Sequence, residues 1–233
     1  MAEITVVGLG PGRAGLITRE SWELMVNAEH LLLRTRIHPT VAALDDAGIR
    51  FASYDGFYEE APDFETLYRH IAADVIEKAK TYGSLVYAVP GSPLVAERTV
   101  VLLRKLAPQA GVKLTVKPGM SFVEVMYTSL GIDPIDGLTI IDAEDIDTLP
   151  AEPRQALVVT QVYDPIIASD AKLSLMERFP DEYPVTYIHN LALPDESIRT
   201  IPLFELDRQR DIDHLTSLYI PVKGSEQAPL REK

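Results

Sequence analysis

Short apolar runs alternate with amphipathic segments through the first 130 residues of the chain. Residues 4–7, 30–33 and 84–89 are apolar runs of the kind found in strands that are buried on both faces. Residues 18–28 and 64–80 place apolar side chains at helical spacing. This alternation predicts an α/β domain with a mostly parallel sheet and helices on both of its faces.

The pattern changes after Leu130, where a turn-rich segment is followed by short strands and fewer helices. Strands are predicted at residues 138–141, 156–160, 185–190, 197–202 and 216–222, with a helix at 165–179. We therefore predict an N-terminal α/β domain over residues 1–133 and a C-terminal α+β domain with a mixed sheet over 134–223. Residues 224–233 are polar and aperiodic, and are predicted to form a flexible tail or linker.

Three glycine-bearing turns, at Gly8, Gly91 and Gly119, each connect a predicted strand to a predicted helix. The most distinctive is Pro90-Gly91-Ser92-Pro93, because two prolines around a permissive glycine make a stiff, sharp turn. Ser92 is predicted to cap the helix that follows, over residues 95–106. Such turns lie at the carboxyl edge of a parallel sheet, where open α/β folds bind ligands, although an ordinary strand–helix turn would have the same pattern. We expect the three turns to converge on one crevice.

The residues between Pro39 and Pro62 carry weaker signals. Residues 39–47 are predicted to be a helix and 51–54 a short strand, and the acidic, aromatic residues 55–62 are predicted to be an exposed loop. A second acidic segment, residues 142–147, is predicted to be a solvated loop.

Composition excludes several classes of protein. The 233 residues include 46% hydrophobic and 24% charged residues, with a formal net charge of −13, so we expect a globular protein that does not bind nucleic acid. There is no cysteine, which excludes disulfides, thiolate nucleophiles and zinc–sulfur sites. The histidines have no metal-ligand spacing, and we predict no metal. No apolar stretch approaches the roughly 20 residues of a membrane span, and no signal peptide begins the sequence, so a cytoplasmic protein is expected.

The first glycine turn departs from the dinucleotide-binding fingerprint, because Arg13 stands where the third glycine would fall. Arg34 and Arg36 at the end of the second strand could bind the 2′-phosphate of NADP, but a solvated strand end fits them better. No catalytic side chain stands out, and the catalytic residues are unknown. Methyl transfer from S-adenosylmethionine (SAM) is compatible with such a site, because the sulfonium is already a good leaving group and positioning can supply most of the acceleration.

Three segments in order carry a resemblance to a known family. Val7-Gly8-Leu9-Gly10-Pro11-Gly12 resembles an opening V-G-x-G-P-G motif, and Pro90-Gly91-Ser92-Pro93 stands in the place of a G-D-P loop. Pro118-Gly119-Met120-Ser121, followed by Leu130-Gly131-Ile132, resembles a P-G-x-S…L-G-I segment. On these motifs the chain is similar, over about residues 3–222, to the tetrapyrrole (corrin/porphyrin) methylases, the class III SAM-dependent methyltransferases.

A narrower resemblance lies in the second half of the chain. Segments 160–164, 168–173, 202–208 and 214–221 resemble the N-terminal methylase-like domain of YabN-type MazG proteins, in which a MazG nucleoside triphosphate pyrophosphohydrolase domain follows. The resemblance therefore implies either a SAM-dependent methyltransferase with a small-molecule acceptor or a non-catalytic SAM- or nucleotide-binding module associated with a MazG hydrolase.

The resemblance also implies two α/β domains with a ligand cleft between them, usually in a homodimer, and SAM as the cofactor. Positions that match the family's cofactor contacts are Pro11, Ser92, Val95, Ser121, Phe122, Gln161, His189, Ser217 and Leu218. Ser92 departs from the family, in which aspartate is usual at this position. The missing carboxylate would remove a favourable partner of a cationic ligand, on the order of 1 kcal/mol if partly buried.

Overall fold

The computed structural model describes residues 1–222, and only the backbone of Glu59 and Glu60. The predicted tail at 224–233 lies outside the described residues. The chain divides into two compact units, Met1–Phe122 and a second that begins at Val123. This division falls eleven residues before the predicted boundary at residue 134, so the helix that follows the third glycine turn belongs almost entirely with the second unit.

The first unit is organised around a wholly parallel sheet, as predicted. Its strands are β1 (Glu3–Gly8), β2 (Leu31–Leu33), β3 (Ala52–Ser53), β4 (Ser84–Val89) and β5 (Lys113–Val116). They lie in the order β3-β2-β4-β1-β5, so β1 pairs with β4 and β5 rather than with β2. The chain therefore passes from β1 over β4 to reach β2, and from β4 over β1 to reach β5.

Helices cover both faces of this sheet, as the alternating pattern predicted. They are α1 (Arg19–Val26), α2 (Val41–Asp46), α3 (Asp55–Glu60), α4 (Phe64–Tyr82) and α5 (Arg98–Gln109). Val7 and Ala88 point to the face that packs with α1 and α2, whereas Val6 and Tyr87 point to the face that packs with α4 and α5. Because successive side chains of a strand point to opposite faces, these strands are apolar throughout.

The predicted exposed loop at residues 55–62 is wrong, because residues 55–60 form α3. Asp55 accepts hydrogen bonds from the Thr35 hydroxyl (2.5 Å) and the Arg36 N–H (2.9 Å), which tie the start of the helix to the end of β2. Phe57 and Tyr58 are then half-buried against the core. The acidic composition of residues 55–62 gave no indication of this contact, because the partners of Asp55 lie about twenty positions away in the sequence.

Helix α5 also begins and ends later than predicted. Its N-cap is Glu97 rather than Ser92, and the Glu97 carboxylate accepts a hydrogen bond from the Thr99 N–H at 3.1 Å. Pro108 lies inside the last turn of the helix instead of ending it. Ser92 through Ala96 consequently form a turn and a bend between β4 and α5.

The second unit contains the predicted mixed sheet. Its strands are β6 (Leu138–Asp142), β7 (Ala156–Thr160), β8 (Pro184–His189), β9 (Ser197–Pro202) and β10 (Thr216–Ile220), in the order β6-β7-β10-β8-β9. Only β6 and β7 are parallel. Its helices are α6 (Phe122–Leu130), which starts at the last residue of the first unit, and α7 (Pro165–Met176).

Helix α7 packs on the second sheet through a core that includes Leu157, Leu175 and Leu218. The acidic segment predicted as a loop is instead a 3-10 helix, Ala143–Thr148, with Ala143 and Ile146 buried. Within residues 1–222, helices fall short of the length and apolar character that a membrane span requires.

Candidate functional site

The loops that follow β1 and β4 meet at the carboxyl edge of the parallel sheet. The Gly10 N–H donates to the Gly91 carbonyl oxygen at 3.2 Å, and the Gly91 N–H donates to the Gly10 carbonyl oxygen at 3.0 Å. Strands β1 and β4 are neighbours whose connections leave in opposite directions, which defines the switch point at which open α/β sheets bind ligands. The two most distinctive loops of the sequence are thus joined at this point by their backbones.

The third glycine turn lies against the same two loops. A Cβ atom at Gly8 would be 2.3 Å from the Gly91 carbonyl oxygen, and one at Gly119 would be 2.8 Å from Cδ of Pro93. The same Cβ at Gly119 would be 3.4 Å from Cα of Gly8. The prediction that the three turns converge is therefore confirmed, and glycine is needed because Gly8 approaches backbone and Gly119 approaches the rigid ring of Pro93.

The side chains of Thr40 and His38 hold the first loop in place through hydrogen bonds. The Thr40 hydroxyl lies 3.0 Å from the Leu9 carbonyl oxygen and 2.8 Å from that of Gly12, and is positioned to donate to them. His38 accepts a hydrogen bond from the Thr40 N–H on Nδ1 at 3.3 Å and also bonds the Gly10 backbone. Burial, followed by the nearby Arg34 charge, lowers the pKa of His38 to about 4, so its ring is neutral at pH 7.

The predicted contact residues of the first unit all lie on or beside these turns. Pro11 is half-buried in the first loop, and Ser92 and Val95 are partly exposed in the loop after β4. Ser121 is buried at the third turn, and Phe122 begins α6. The structure thus brings together the loops that carry Pro11, Ser92 and Ser121.

An ion pair missed by the sequence reasoning lies at the base of the β4–α5 loop. The Glu97 Oε2 atom is 3.2 Å from Nε of Arg34, while Oε1 accepts hydrogen bonds from the Thr99 N–H and hydroxyl. Ala96, the residue before Glu97, has φ +53°. The one sequence signal for this ion pair was a glutamate just before an amphipathic helix.

In the second unit, the carboxyl ends of β7 and β8 lie at one edge of the mixed sheet. Gln161 directly follows β7 with φ +62°, and Asn190 directly follows β8 with φ +53°. Non-glycine residues with left-handed backbone cluster at functional sites, where surrounding structure holds them. This edge is therefore the candidate ligand-binding edge of the second unit.

Three of the four predicted contact residues of this unit lie at that edge. Gln161 is exposed, His189 is the last residue of β8, and Ser217 is near the start of β10, which runs antiparallel to both strands. Leu218 packs in the core of the unit, with no exposed surface.

Charged side chains hold this edge. Nε2 of His189 is 3.1 Å from Asp213 Oδ1, and Nδ1 is 3.7 Å from Asp211 Oδ2. Arg199 donates to both oxygens of Asp211, at 2.6 and 3.0 Å, and its guanidinium lies over the Tyr187 ring at 4.1 Å. The Arg199 hydrogen bonds lower the pKa of Asp211 despite some burial. The sequence signal that could have revealed this charged cluster is the pair Asp211 and Asp213, which lie two residues apart before β10.

Among residues 1–222, no group of His, Asp and Glu side chains has the arrangement of a metal site. The two edges therefore offer backbone groups and hydrogen-bonding side chains rather than metal ligands.

Comparison with known proteins assigns the family. The sequence matches the Tetrapyrrole (Corrin/Porphyrin) Methylases over residues 3–207. The chain belongs to this family of methylases. One relative, the uncharacterized protein YabN of Bacillus subtilis (strain 168), is 41% identical over 219 residues. That match covers 94% of this chain and 45% of YabN, so the chain spans less than half of the relative's length.

Solved structures of methylases share the fold. Uroporphyrin-III-C-methyltransferase from Thermus thermophilus superposes with a TM-score of 0.73 at 21% identity, covering 95% of this chain and 94% of that one. A structure of the Thermus thermophilus enzyme complexed with S-adenyl homocysteine has a TM-score of 0.69 at 18% identity and covers 94% and 92% of the two chains. The resemblance seen in the sequence motifs is thereby confirmed for family and fold.

Proposed function

We propose that this protein is a SAM-dependent methyltransferase of the tetrapyrrole methylase type that acts on a small-molecule acceptor. The observation that carries the proposal is the convergence of three turns at the switch point of the parallel sheet, with Gly10 and Gly91 joined backbone to backbone. Open α/β sheets bind ligands at such a switch point, in the crevice outside the carboxyl ends of the strands.

The residues present fit this cofactor class. Gly8 and Gly119 leave no room for a Cβ, which lets the three turns pack closely together, and Pro11, Ser92, Val95, Ser121 and Phe122 border them. When bound, SAM supplies an electrophilic methyl group on a sulfonium. The protein's part is to orient donor and acceptor, a role that needs no strong acid or base among the bordering residues.

Gln161, His189 and Ser217 are proposed as the contribution of the second unit. They share the edge at which Gln161 and Asn190 adopt left-handed backbone. Leu218 would serve this edge by packing beneath it.

Calorimetric titration of the protein with SAM, S-adenosylhomocysteine and NADPH tests the proposal. We expect both sulfur ligands to bind and NADPH not to bind. Binding of neither sulfur ligand would refute the proposal, and tight binding of NADPH alone would favour the NADP interpretation of Arg34 and Arg36.

A negative charge introduced at position 92 makes this test more specific. Ser92→Asp should tighten SAM binding roughly fivefold, since an opposite charge at a partly exposed site contributes about 1 kcal/mol. The matched control is Ser84→Asp, which makes the same charge change at the opposite end of β4, and should leave affinity unaltered. Unchanged or weaker binding by Ser92→Asp would rule out the missing carboxylate as a determinant of affinity.

The alternative function is a non-catalytic SAM- or nucleotide-binding regulatory module that acts with a MazG pyrophosphohydrolase. Two observations support it, namely Ser92 in place of the usual aspartate and the coverage of only 45% of YabN. Tight SAM binding without methyl transfer to any acceptor pool would favour this alternative. Either function would be exercised as a homodimer, which sedimentation analysis tests.

A further inference from the structure

Arg34 is a buried cation at the carboxyl edge of the parallel sheet. It directly follows β2, and its N–H donates to the Ala88 carbonyl oxygen at 2.9 Å, beside the β4 loop. Only 21% of its side chain is exposed. Its Nε atom lies 3.2 Å from Glu97 but has no well-directed hydrogen bond within the described part of the chain. The guanidinium is thus held in place beside Glu97, and its Nε donor lacks a well-directed acceptor.

Glu97 fixes the position of the guanidinium. Its side chain is 4% exposed, and one of its oxygens is already occupied by the N–H and hydroxyl of Thr99. A guanidinium has five N–H donors, and Glu97 approaches it at Nε. Capacity therefore remains for an additional acceptor.

Neutral hydroxyl donors lie around the same guanidinium. Tyr68 hydrogen-bonds Arg34, and Tyr58 and Tyr87 interact with its charge. Burial raises the pKa of Tyr68, and it raises the pKa of Tyr58 to about 12, so both rings keep their protons at pH 7. Tyr58 and Tyr68 are half-buried and so retain solvent access, whereas Tyr87 is fully buried.

The charge of Arg34 persists in this setting. Burial opposes the charge, but the attraction of Glu97 and of the tyrosines outweighs it and raises the pKa of Arg34. His38, which senses the Arg34 charge, is neutral at pH 7. A positive centre with an unmet donor, close to protonated hydroxyls, has the chemistry of an oxyanion receptor.

We propose that Arg34, together with the hydroxyls of Tyr58 and Tyr68, binds an oxyanion, either a carboxylate or a phosphate group carried by the methyl acceptor. The role as an acceptor subsite rests on the proposed function, whereas binding of the anion itself does not. Glu97 acts as a positioning residue that orients the guanidinium.

The test is a calorimetric titration of the full chain with inorganic phosphate and with succinate, in low-salt buffer, with and without S-adenosylhomocysteine. We expect the wild type to bind at least one probe at millimolar concentration. The Arg34→Gln/Glu97→Gln double variant should weaken that binding at least about tenfold, because it removes the charged fork. This variant keeps the net charge and leaves no buried carboxylate unpaired, so it preserves the fold better than Arg34→Gln alone.

Two further variants make the result specific. Arg36→Gln removes a charge from an exposed side chain two residues away and should change probe affinity less than twofold. Tyr68→Phe deletes one hydroxyl and should weaken binding about threefold. Phosphate binding without succinate binding would identify a phosphate acceptor, and the reverse a carboxylate.

Several outcomes would overturn the subsite. They are failure of both probes to bind up to about 20 mM, equal binding by the double variant, and an equal loss in Arg36→Gln, which would indicate general screening. Titration of the same samples with S-adenosylhomocysteine reports separately on the proposed function. Anion binding with no affinity for that ligand would retain the receptor and reject the methyltransferase.

Discussion

The carboxyl edge of the parallel sheet and the corresponding edge of the mixed sheet are held by different kinds of interaction. In the first unit, the contacts between loops are backbone hydrogen bonds and close approaches at Gly8, Gly10 and Gly91. In the second unit, the loop before β10 is held to β9 by the ion pair of Arg199 with Asp211, and His189 at the end of β8 lies beside Asp211 and Asp213. The contact between the β1 and β4 loops depends on the absence of side chains, whereas the contact at the second edge depends on charged side chains.

This difference separates the conditions to which each edge responds. Backbone hydrogen bonds carry no net charge, so salt has little effect on them, whereas partly exposed ion pairs weaken as salt increases. A steric clash introduced at a glycine cannot relax when the neighbouring atoms are backbone, whereas the loss of a surface ion pair lowers the free energy of unfolding only slightly. Mutations should therefore be severe at the first edge and graded at the second.

The largest effect is expected from Gly8→Ala. The new Cβ would be 2.3 Å from the Gly91 carbonyl oxygen, and separating the two loops should cost about 3 kcal/mol of the free energy of unfolding. Urea denaturation measures this. Gly15→Ala is the control, because its Cβ would meet no heavy atom within 4 Å. A stable Gly8→Ala variant would mean that the loops are not locked together.

Acid should weaken the first edge through His38. Its folded pKa of about 4 lies below the ordinary 6.5, so as the pH falls the unfolded chain binds the proton first and stability decreases. Between pH 7 and pH 5, the stability of wild type relative to His38→Gln should fall by about 2 kcal/mol. His70→Gln, at an exposed position of α4, should show no such trend. A pH-independent difference for His38→Gln would argue against a buried neutral ring.

Thr40→Val should cost about 1 to 2 kcal/mol, because it leaves the Leu9 and Gly12 carbonyl oxygens without a buried donor. This loss should be independent of salt, as expected of neutral groups. Thr200→Val, at an exposed position of β9, is the control for the change in side chain. A loss that disappears at high salt would contradict the assignment of the first edge to uncharged contacts.

The smallest effect is expected from Arg199→Ala, at about 1 kcal/mol in low salt. The variant loses the Asp211 pair and the contact with the Tyr187 ring, and because these side chains are about one-third exposed, the difference from wild type should shrink in 1 M salt. Arg210→Ala removes a neighbouring exposed charge and should be near neutral. A large loss that resists salt would show that the two edges are alike.

The parts of the fold that follow from local rules could be predicted from the sequence. The strands around Val7 and Val86 are apolar on both faces, and the turns at Gly91 and Gly119 combine residues with fixed or permissive backbone angles. Each of these features lies within a few consecutive residues, so its physical cause is visible in the sequence.

The parts that depend on distant partners could not be predicted. Glu97 meets Arg34 across five intervening secondary-structure elements, and α3 is fixed by a bond from Thr35 to Asp55. His189 and Asp211 are more than twenty residues apart in the sequence and come together only because β8 and β10 pair. The spacing of these residues along the chain does not predict their contacts.

The strand order has a consequence for synthesis of the chain on the ribosome. Strand β1 borders β4 and β5 and does not pair with β2, so it has no strand partner until β4, which ends at Val89, has emerged. The corner formed by Gly10 and Gly91 must therefore close late, after a long loop has been brought together at an entropic cost. A nascent chain arrested within α4 would present β1 as an unpaired apolar edge, a natural target for chaperones.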